Sequence, residues 1–328
     1  MTFHLSPPVA PCALTDFLPA SLRNVSVTKD LIPRLAKDPG AMAELAGAAR
    51  SVPTTHQLLN ADAREMAFLA PASVHLVLTS PPYWNLKEYE SADGQLGSMA
   101  NYELFLKQLD LVWQRCFDAL VPGGRLICVV GDVCLSRRRN GGVHTVVPLH
   151  ASIQEHCRDI GYLNLTPILW HKIANASFEG SAGGGLLGKP YEPNAVIKND
   201  AEFILMGRKP GGYRSPSDAA RLLSAISAEE HSAWFRQLWC DVPGASTRGH
   251  PAPYPLELAR RLIRMFSFVG DTVLDPFVGS GTSMLAAAGC GRNSIGVEVV
   301  AEYCDMTYKR LSGAMTEIST ATVIRGSR

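Results

Sequence analysis

A doubly wound α/β fold on a mostly parallel sheet is the architecture this sequence predicts, and three observations predict it. From residue 56 onward, short apolar runs alternate with longer runs of helical spacing, the pattern of strands joined by crossover helices. A glycine-bearing turn, "VLDPFVGSGTS", joins one strand to a helix. Another strand ends in "TSPPYW", with two prolines where the hydrogen-bond ladder must stop.

The elements follow in order. Residues 1 to about 55 read as a polar start and one or two Ala-rich helices, broken at Asp38-Pro39-Gly40. "HQLLNAD" and "SVHLVLTS" are short strands, and "NYELFLKQLDLVWQRCFDALV" has helical spacing up to a stop at Pro122-Gly123-Gly124. The run "RLICVVGD" reads as a buried strand, "HASIQEHCRDIGY" as a helix, and "LNLTPILWHK" and "EFILMGRK" as strands. An amphipathic helix, "LELARRLIRMFSFV", ends at Gly270. Strand "TVLDPF", the glycine turn, helix "TSMLAAAGC", strand "SIGVEV" and helix "AEYCDMTYKRLSGAM" complete the pattern. Two irregular stretches interrupt it, one containing "GSAGGGLLGK" and one running from about 210 to 247; insertions of that length in such a sheet are usually functional or disordered.

Composition bounds the function. A formal net charge of +1 over 328 residues does not announce a nucleic-acid protein, although a local basic face is compatible with it. The eight cysteines form no CxxC pair, so no zinc site is expected, and several lie in apolar runs as reduced core cysteines do. Prolines interrupt the start where a signal peptide needs a continuous apolar stretch, and no run is long enough to span a bilayer. A cytoplasmic protein is expected.

The glycine turn places Gly279 and Gly281 before a helix whose free N–H groups suit a carboxylate or phosphate. Glu298, 23 positions after Asp275, has the spacing of an acid that binds ribose hydroxyls. The full GxGxxG spacing is missing, and Asp275 stands at the strand tip. A carboxylate there repels a pyrophosphate but suits a ligand with an ammonium group, such as S-adenosylmethionine. The alternative is a plain strand–helix turn. Ser280 is a poor candidate nucleophile because the G-x-S-x-G spacing fails.

At "TSPPYW" the prolines leave nearby carbonyls free to accept, Ser80 adds a hydroxyl, and Tyr83 and Trp84 offer flat faces. Together they describe a slot for a planar ring with an exocyclic amino group, held by Ser80 and the Pro81 carbonyl. Stacking a base on an aromatic is worth roughly 1–3 kcal/mol, which helps offset extraction from a duplex.

With "HPAPYP" and "DPFVGSGT" following in that order, the chain resembles the amino-group DNA methyltransferases of restriction–modification systems, in their permuted (β) arrangement, over roughly residues 56 to 315. The resemblance implies a Rossmann-like fold with S-adenosyl-L-methionine as cofactor. Its amine-binding residues are Ser80, Pro81 and Pro82, with Tyr83 and Trp84. On the cofactor side it implies Asp62, Thr79, His250, Tyr254, Asp275, Phe277, Gly279, Ser280, Gly281, Thr282 and Glu298. A core role for Phe277 is equally compatible. In the permuted order the helix after Glu298 ends the sheet, and the strand ending at Asp62 fills the place beside it; Ala61 stands where the family usually has Gly. The serine form with Trp after Tyr is most often found in cytosine-N4 enzymes. Adenine-N6 methylation by the same chemistry, or a DNA-binding protein without catalysis, are the alternatives. RNA and protein-glutamine look-alikes usually carry Asn in place of Ser80.

The resemblance divides the chain into an N-terminal extension (1–55), a catalytic domain (56–209 and 248–315), a target-recognition insertion (210–247) and a C-terminal tail (316–328). Duplex DNA is the implied partner, with a separately acting restriction endonuclease and a homodimer left open. Arg137, Arg138, Arg139, Arg214, Arg221, Arg236 and Arg248 are candidate phosphate or groove contacts; a solvated basic loop is an equal reading for the first three. Trp170, Lys172 and Glu202 lie at strand ends, where Trp170 and Glu202 have core or structural readings too.

Overall fold

The computed structural model describes residues 13–84, 90, 92–137, 140–172, 199–245, 254–315 and 319–325. Its strands are β1 (Thr55–Asn60), β2 (Val74–Thr79), β3 (Leu120–Val130), β4 (Val133–Leu135), β5 (Thr145–Val147), β6 (Leu163–His171), β7 (Ala201–Arg208), β8 (Leu238–Trp239), β9 (Thr272–Asp275), β10 (Asn293–Glu298) and β11 (Thr320–Arg325). The helices are α1 (Leu31–Leu35), α2 (Pro39–Arg50), α3 (Tyr102–Ala119), α4 (Leu149–Ile160), α5 (Asp218–Leu223), α6 (Ala228–Trp234), α7 (Leu256–Phe266), α8 (Thr282–Ala288) and α9 (Ala301–Ala314). Nine strands form one sheet in the order β11-β1-β10-β9-β2-β3-β7-β6-β8, and β4 and β5 form a separate hairpin. Among the described strands of the large sheet, β7 runs against its neighbours and the other pairs are parallel. The mostly parallel, helix-covered sheet is the expected one.

Alternation along the central strands builds both faces of the core. In β2, Val77 faces the side covered by α3 and α4, while Leu76 and Leu78 face α7 and α8; in β3, Leu126 and Cys128 oppose Ile127 and Val129 in the same way. The stripe of α3 is Phe105, Leu106, Leu109, Val112, Trp113 and Cys116, all buried, whereas Leu104 lies exposed. Asn101 caps this helix by accepting from Leu104 N at 2.8 Å. Pro122-Gly123-Gly124 does not stop it: the helix ends at Ala119, and the three residues sit inside β3 where its register with β2 shifts.

β1 lies between β10 and β11, in register from His56 opposite Ser294 to Asn60 opposite Glu298. A strand from the beginning of the chain thus occupies the expected place beside the Glu298 strand. The sheet does not end there, however. Residues expected to form a tail add β11, parallel to β1 from Thr55 opposite Thr320 to Asn60 opposite Arg325. Its β-branched residues suit a half-buried edge.

The extension and the insertion pack together. Leu22, Leu31, Met42 and Leu45 share one cluster with Ala219, Leu222, Leu223 and Val269. Trp234, Trp239 and Val242 belong to the core beneath β6 and α7, and Trp170 Nε1 donates to Val242 O at 2.7 Å. The described part of 210–247 therefore packs against both the N-terminal helices and the sheet. The break at Asp38-Pro39-Gly40 is the start of α2, with Asp38 accepting from Gly40 N and Ala41 N. Among the described residues, no helix is long and apolar enough to cross a membrane.

Candidate active site

The tips of β2 and β9 lie side by side, with Leu76 opposite Val273 and Val77 opposite Leu274. One hydrogen bond locks them: Thr79 Oγ1 donates to Asp275 Oδ1 at 2.7 Å. Asp275 also accepts from Ser283 Oγ at 2.5 Å and Phe277 N at 3.1 Å. Burial pushes its carboxyl up to about 6, against the pull of these donors. Asp275 is 2% exposed and is not a wall of the cleft described below. It lies beneath the loop and ties the two strand tips together. Tyr254 comes down on the same acid from the start of α7. Its hydroxyl is fully buried beside Asp275 and Ser283.

The glycine loop is held from α9. Thr307 Oγ1 donates to Gly279 O at 2.8 Å, and Arg310 donates to Ser280 O. Gly281 caps α8 at φ 81°, and a Cβ there would meet Thr307 Cγ2 at 2.6 Å, so both conformation and space demand glycine. Glu298 faces the loop from β10. Its oxygens accept from Gly279 N and Val300 N, each at 2.9 Å. Burial pushes this carboxyl up to about 7, helped by the Asp275 charge and opposed by the two amides.

Between these groups lies a cleft of about 600 Å³, part of it open to solvent. Ser80, Pro82, Asp62, Phe277, Gly279 and Glu298 line it. Gly94, Gln95, Val299 and Tyr303 line it too, and sequence reasoning missed them. Phe277 serves both roles, because its ring also meets Trp113 edge-on at 6.3 Å. Asp62 is held by Arg64, whose Nε lies 3.0 Å from both carboxylate oxygens. Gly94 passes so close that a Cβ would meet Asp62 Oδ2 at 2.6 Å. Ser280, Gly281 and Thr282 shape the loop without lining the cleft.

The two aromatics after the prolines are not open stacking faces. Tyr83 and Trp84 are 6% and 8% exposed and belong to the core cluster under α3. Trp84 sits at φ 47° and meets Tyr102 edge-on at 5.1 Å, so its ring is taken up by packing within that cluster. Tyr83 directs its hydroxyl to Glu202 Oε2 at 3.2 Å.

The arginines divide. Arg214 makes a paired contact with Asp271, at 2.8 and 2.5 Å, and lies over the Phe268 ring. Asp271 precedes β9, at the end of that strand away from Asp275. Arg214 therefore pairs with an acid at the opposite ends of the strands from the Thr79–Asp275 tips. Arg137 is exposed in the β4–β5 hairpin beyond the tip of β3. Arg236 is exposed and donates to Ser232 O at 2.7 Å; Arg221 pairs with Asp218 at 3.6 Å. Arg138, Arg139, Arg248, His250 and the "GSAGGGLLGK" stretch lie outside the described residues.

Residues 74–309 match the DNA methylase family of N6- and N4-amino methyltransferases. The chain belongs to that family. Among its relatives in this DNA methylase family, the type II methyltransferase M.MjaI of Methanocaldococcus jannaschii is 37% identical over 278 residues, covering 76% of this chain and 88% of its own. M.MthZI of Methanothermobacter thermautotrophicus is 35% identical over 294 residues, covering 83% and 80%. A Thermus thermophilus protein assigned as a DNA modification methylase, solved with S-adenosyl-L-methionine, superimposes with a TM-score of 0.69 at 48% identity, covering 83% of this chain and 99% of its own. The cytosine-N4-specific PvuII DNA methyltransferase shares the fold at a TM-score of 0.57 and 18% identity, covering 79% and 87%.

The cleft residues of this methylase fit the cofactor. Glu298 keeps acceptor capacity beyond its two amides, which suits ribose hydroxyls, and Asp62 offers a carboxylate to an adenine amine. Phe277 and Tyr303 give apolar walls.

Proposed function

We propose that this DNA methylase transfers a methyl group to the exocyclic N4 of a cytosine swung out of duplex DNA. One observation carries the reading: Ser80, at the tip of β2, shares a cleft with Gly279 and Glu298, and the Thr79–Asp275 bond holds that tip against the cofactor loop. S-adenosyl-L-methionine, when bound, supplies an electrophilic sulfonium methyl. The protein's own task is positioning. Ser80 Oγ and the Pro81 carbonyl accept the hydrogens of the amine, which favours a pyramidal nitrogen with an available lone pair. As the N–CH3 bond forms, the S–CH3 bond breaks, and the surplus N–H proton leaves toward the acceptors around Ser80. No covalent intermediate with the enzyme is needed. Glu298 and Asp62 hold the nucleoside part in this scheme. In this reading the exposed Arg137 and Arg236 are the phosphate contacts. The serine form of the proline motif supports cytosine over adenine.

The test is to incubate the protein with DNA and isotopically labelled S-adenosylmethionine, digest to nucleosides, and identify the labelled one by mass. Labelled N4-methylcytosine is expected. Labelled N6-methyladenine overturns the choice of base and keeps the chemistry.

A further inference from the structure

Ser80 opens a line of polar contacts that positioning of the amine alone does not require. Its hydroxyl is 3.4 Å from the Tyr83 hydroxyl, which lies 3.2 Å from Glu202 Oε2. Lys172 Nζ is 2.5 Å from Glu202 Oε1 and 5.4 Å from the centre of the Trp170 ring. Three segments supply this line: the exit of β2, the start of β7, and the end of β6, where Trp170 pairs with Glu202 in the ladder. Tyr83 and Glu202 are 6% and 8% exposed, so water competes little for either.

The chemistry of the end groups sets the direction of the line. An ammonium only donates, and a carboxylate only accepts. Glu202 therefore accepts from Lys172 on one side and from Tyr83 on the other. The single Tyr83 proton is then committed, so toward Ser80 the phenol oxygen can only accept. The single Ser80 proton points to Tyr83, and the lone pairs of Ser80 Oγ are left for the cleft. The 3.4 Å link is the weakest of the three. A neutral amide in place of Glu202 offers both a donor and an acceptor and removes this constraint.

We propose that Glu202, backed by Lys172, is a positioning residue that orients this chain so that Ser80 presents only an acceptor, and thereby selects a base with an amino group over one with a carbonyl at the same position. Cytosine presents N–H groups there, whereas uracil presents oxygen lone pairs, which meet the lone pairs of Ser80 and stay unpaired. A site built to pair one polar group rejects the analogue that cannot make the bond. The inference rests on Ser80 facing the target amine, and Ser80→Ala tests that reading separately.

Once the methylated position is mapped, duplexes with cytosine or uracil at the target are titrated with the full-length protein and S-adenosylhomocysteine, and kcat is measured on the cytosine duplex. The wild type is expected to prefer cytosine by roughly tenfold or more. Glu202→Gln is expected to bind the two duplexes within about twofold and to lose roughly 10–100-fold in kcat, with S-adenosylmethionine affinity unchanged. Tyr83→Phe, which keeps the ring and removes the link, is expected to lose the same preference. Full preference in both variants overturns the proposal, whatever happens to kcat, and so does equal wild-type affinity for cytosine and uracil. If adenine carries the label, hypoxanthine replaces uracil, so the choice of base and the role of Glu202 fail separately.

Discussion

Thr79→Val tests the bond that joins the two strand tips. The substitution nearly keeps side-chain volume and removes only the donor to Asp275, at 2.7 Å in a residue with no exposure. The cost depends on the charge of the acceptor. Asp275 titrates at about 6 in the folded protein, raised from 3.8 by burial. Above that pH it is ionised, and a hydrogen bond to a charged group is worth about 2 kcal/mol; below it the acid is neutral and the bond is worth about 1 kcal/mol. Because the folded value is raised, the stability contribution of Asp275 is fully present below the unfolded value and is lost as pH rises through about 6. Removing a donor raises the folded value further, so the penalty of the variant grows as pH rises. With an unfolding entropy of about 2.1 cal/mol/K per residue, 328 residues lose about 3 °C in Tm at pH 8 and about 1.5 °C at pH 5. Thermal melts of both proteins at the two pH values measure this. Equal shifts at the two pH values, or none at pH 8, refute the assignment of Asp275 as the buried tie.

Glu298 titrates at about 7, and its ionised form accepts ribose hydroxyls in the proposed scheme. Calorimetry is therefore expected to show S-adenosylmethionine binding weaken by about tenfold from pH 8 to pH 6, and Glu298→Gln to bind weakly with no such slope; a wild-type affinity flat across that range contradicts the role. Arg214→Ala is expected to cost about 1–2 kcal/mol of stability by leaving Asp271, 9% exposed, with Phe268 N and His75 but without the guanidinium, while DNA affinity in a filter-binding titration at fixed salt stays unchanged; a clear loss of affinity makes Arg214 a DNA contact.

The parts of this site readable in advance are those whose chemistry is local. The "DPFVGSGT" and "TSPPY" stretches each carry a strand end, a turn and a polar side chain within a few residues, so their place at neighbouring tips follows from the alternating fold. Trp84 misleads because its ring packs against Tyr102, 18 positions away, which its own neighbours in sequence do not reveal. Arg214 reads as a free cation until folding brings Asp271 across 57 positions. Glu202 and Lys172, 30 positions apart, acquire meaning only when β6 and β7 pair antiparallel and place them at the exit of β2. β11 carries an ordinary strand pattern in "TATVIR", yet nothing local says that the sheet has an open edge to receive it. Gly94 and Tyr303 reach the cleft from a connection and from a helix face, without a motif to mark either.

The most direct measurement is a single Ser80→Ala variant assayed twice, for the affinity of S-adenosylmethionine and for single-turnover methylation of DNA. Affinity close to wild type with methylation slowed at least a hundredfold is the predicted outcome. Losses of equal size in both, or methylation at the wild-type rate, contradict a serine that meets the amine at the mouth of the cofactor cleft.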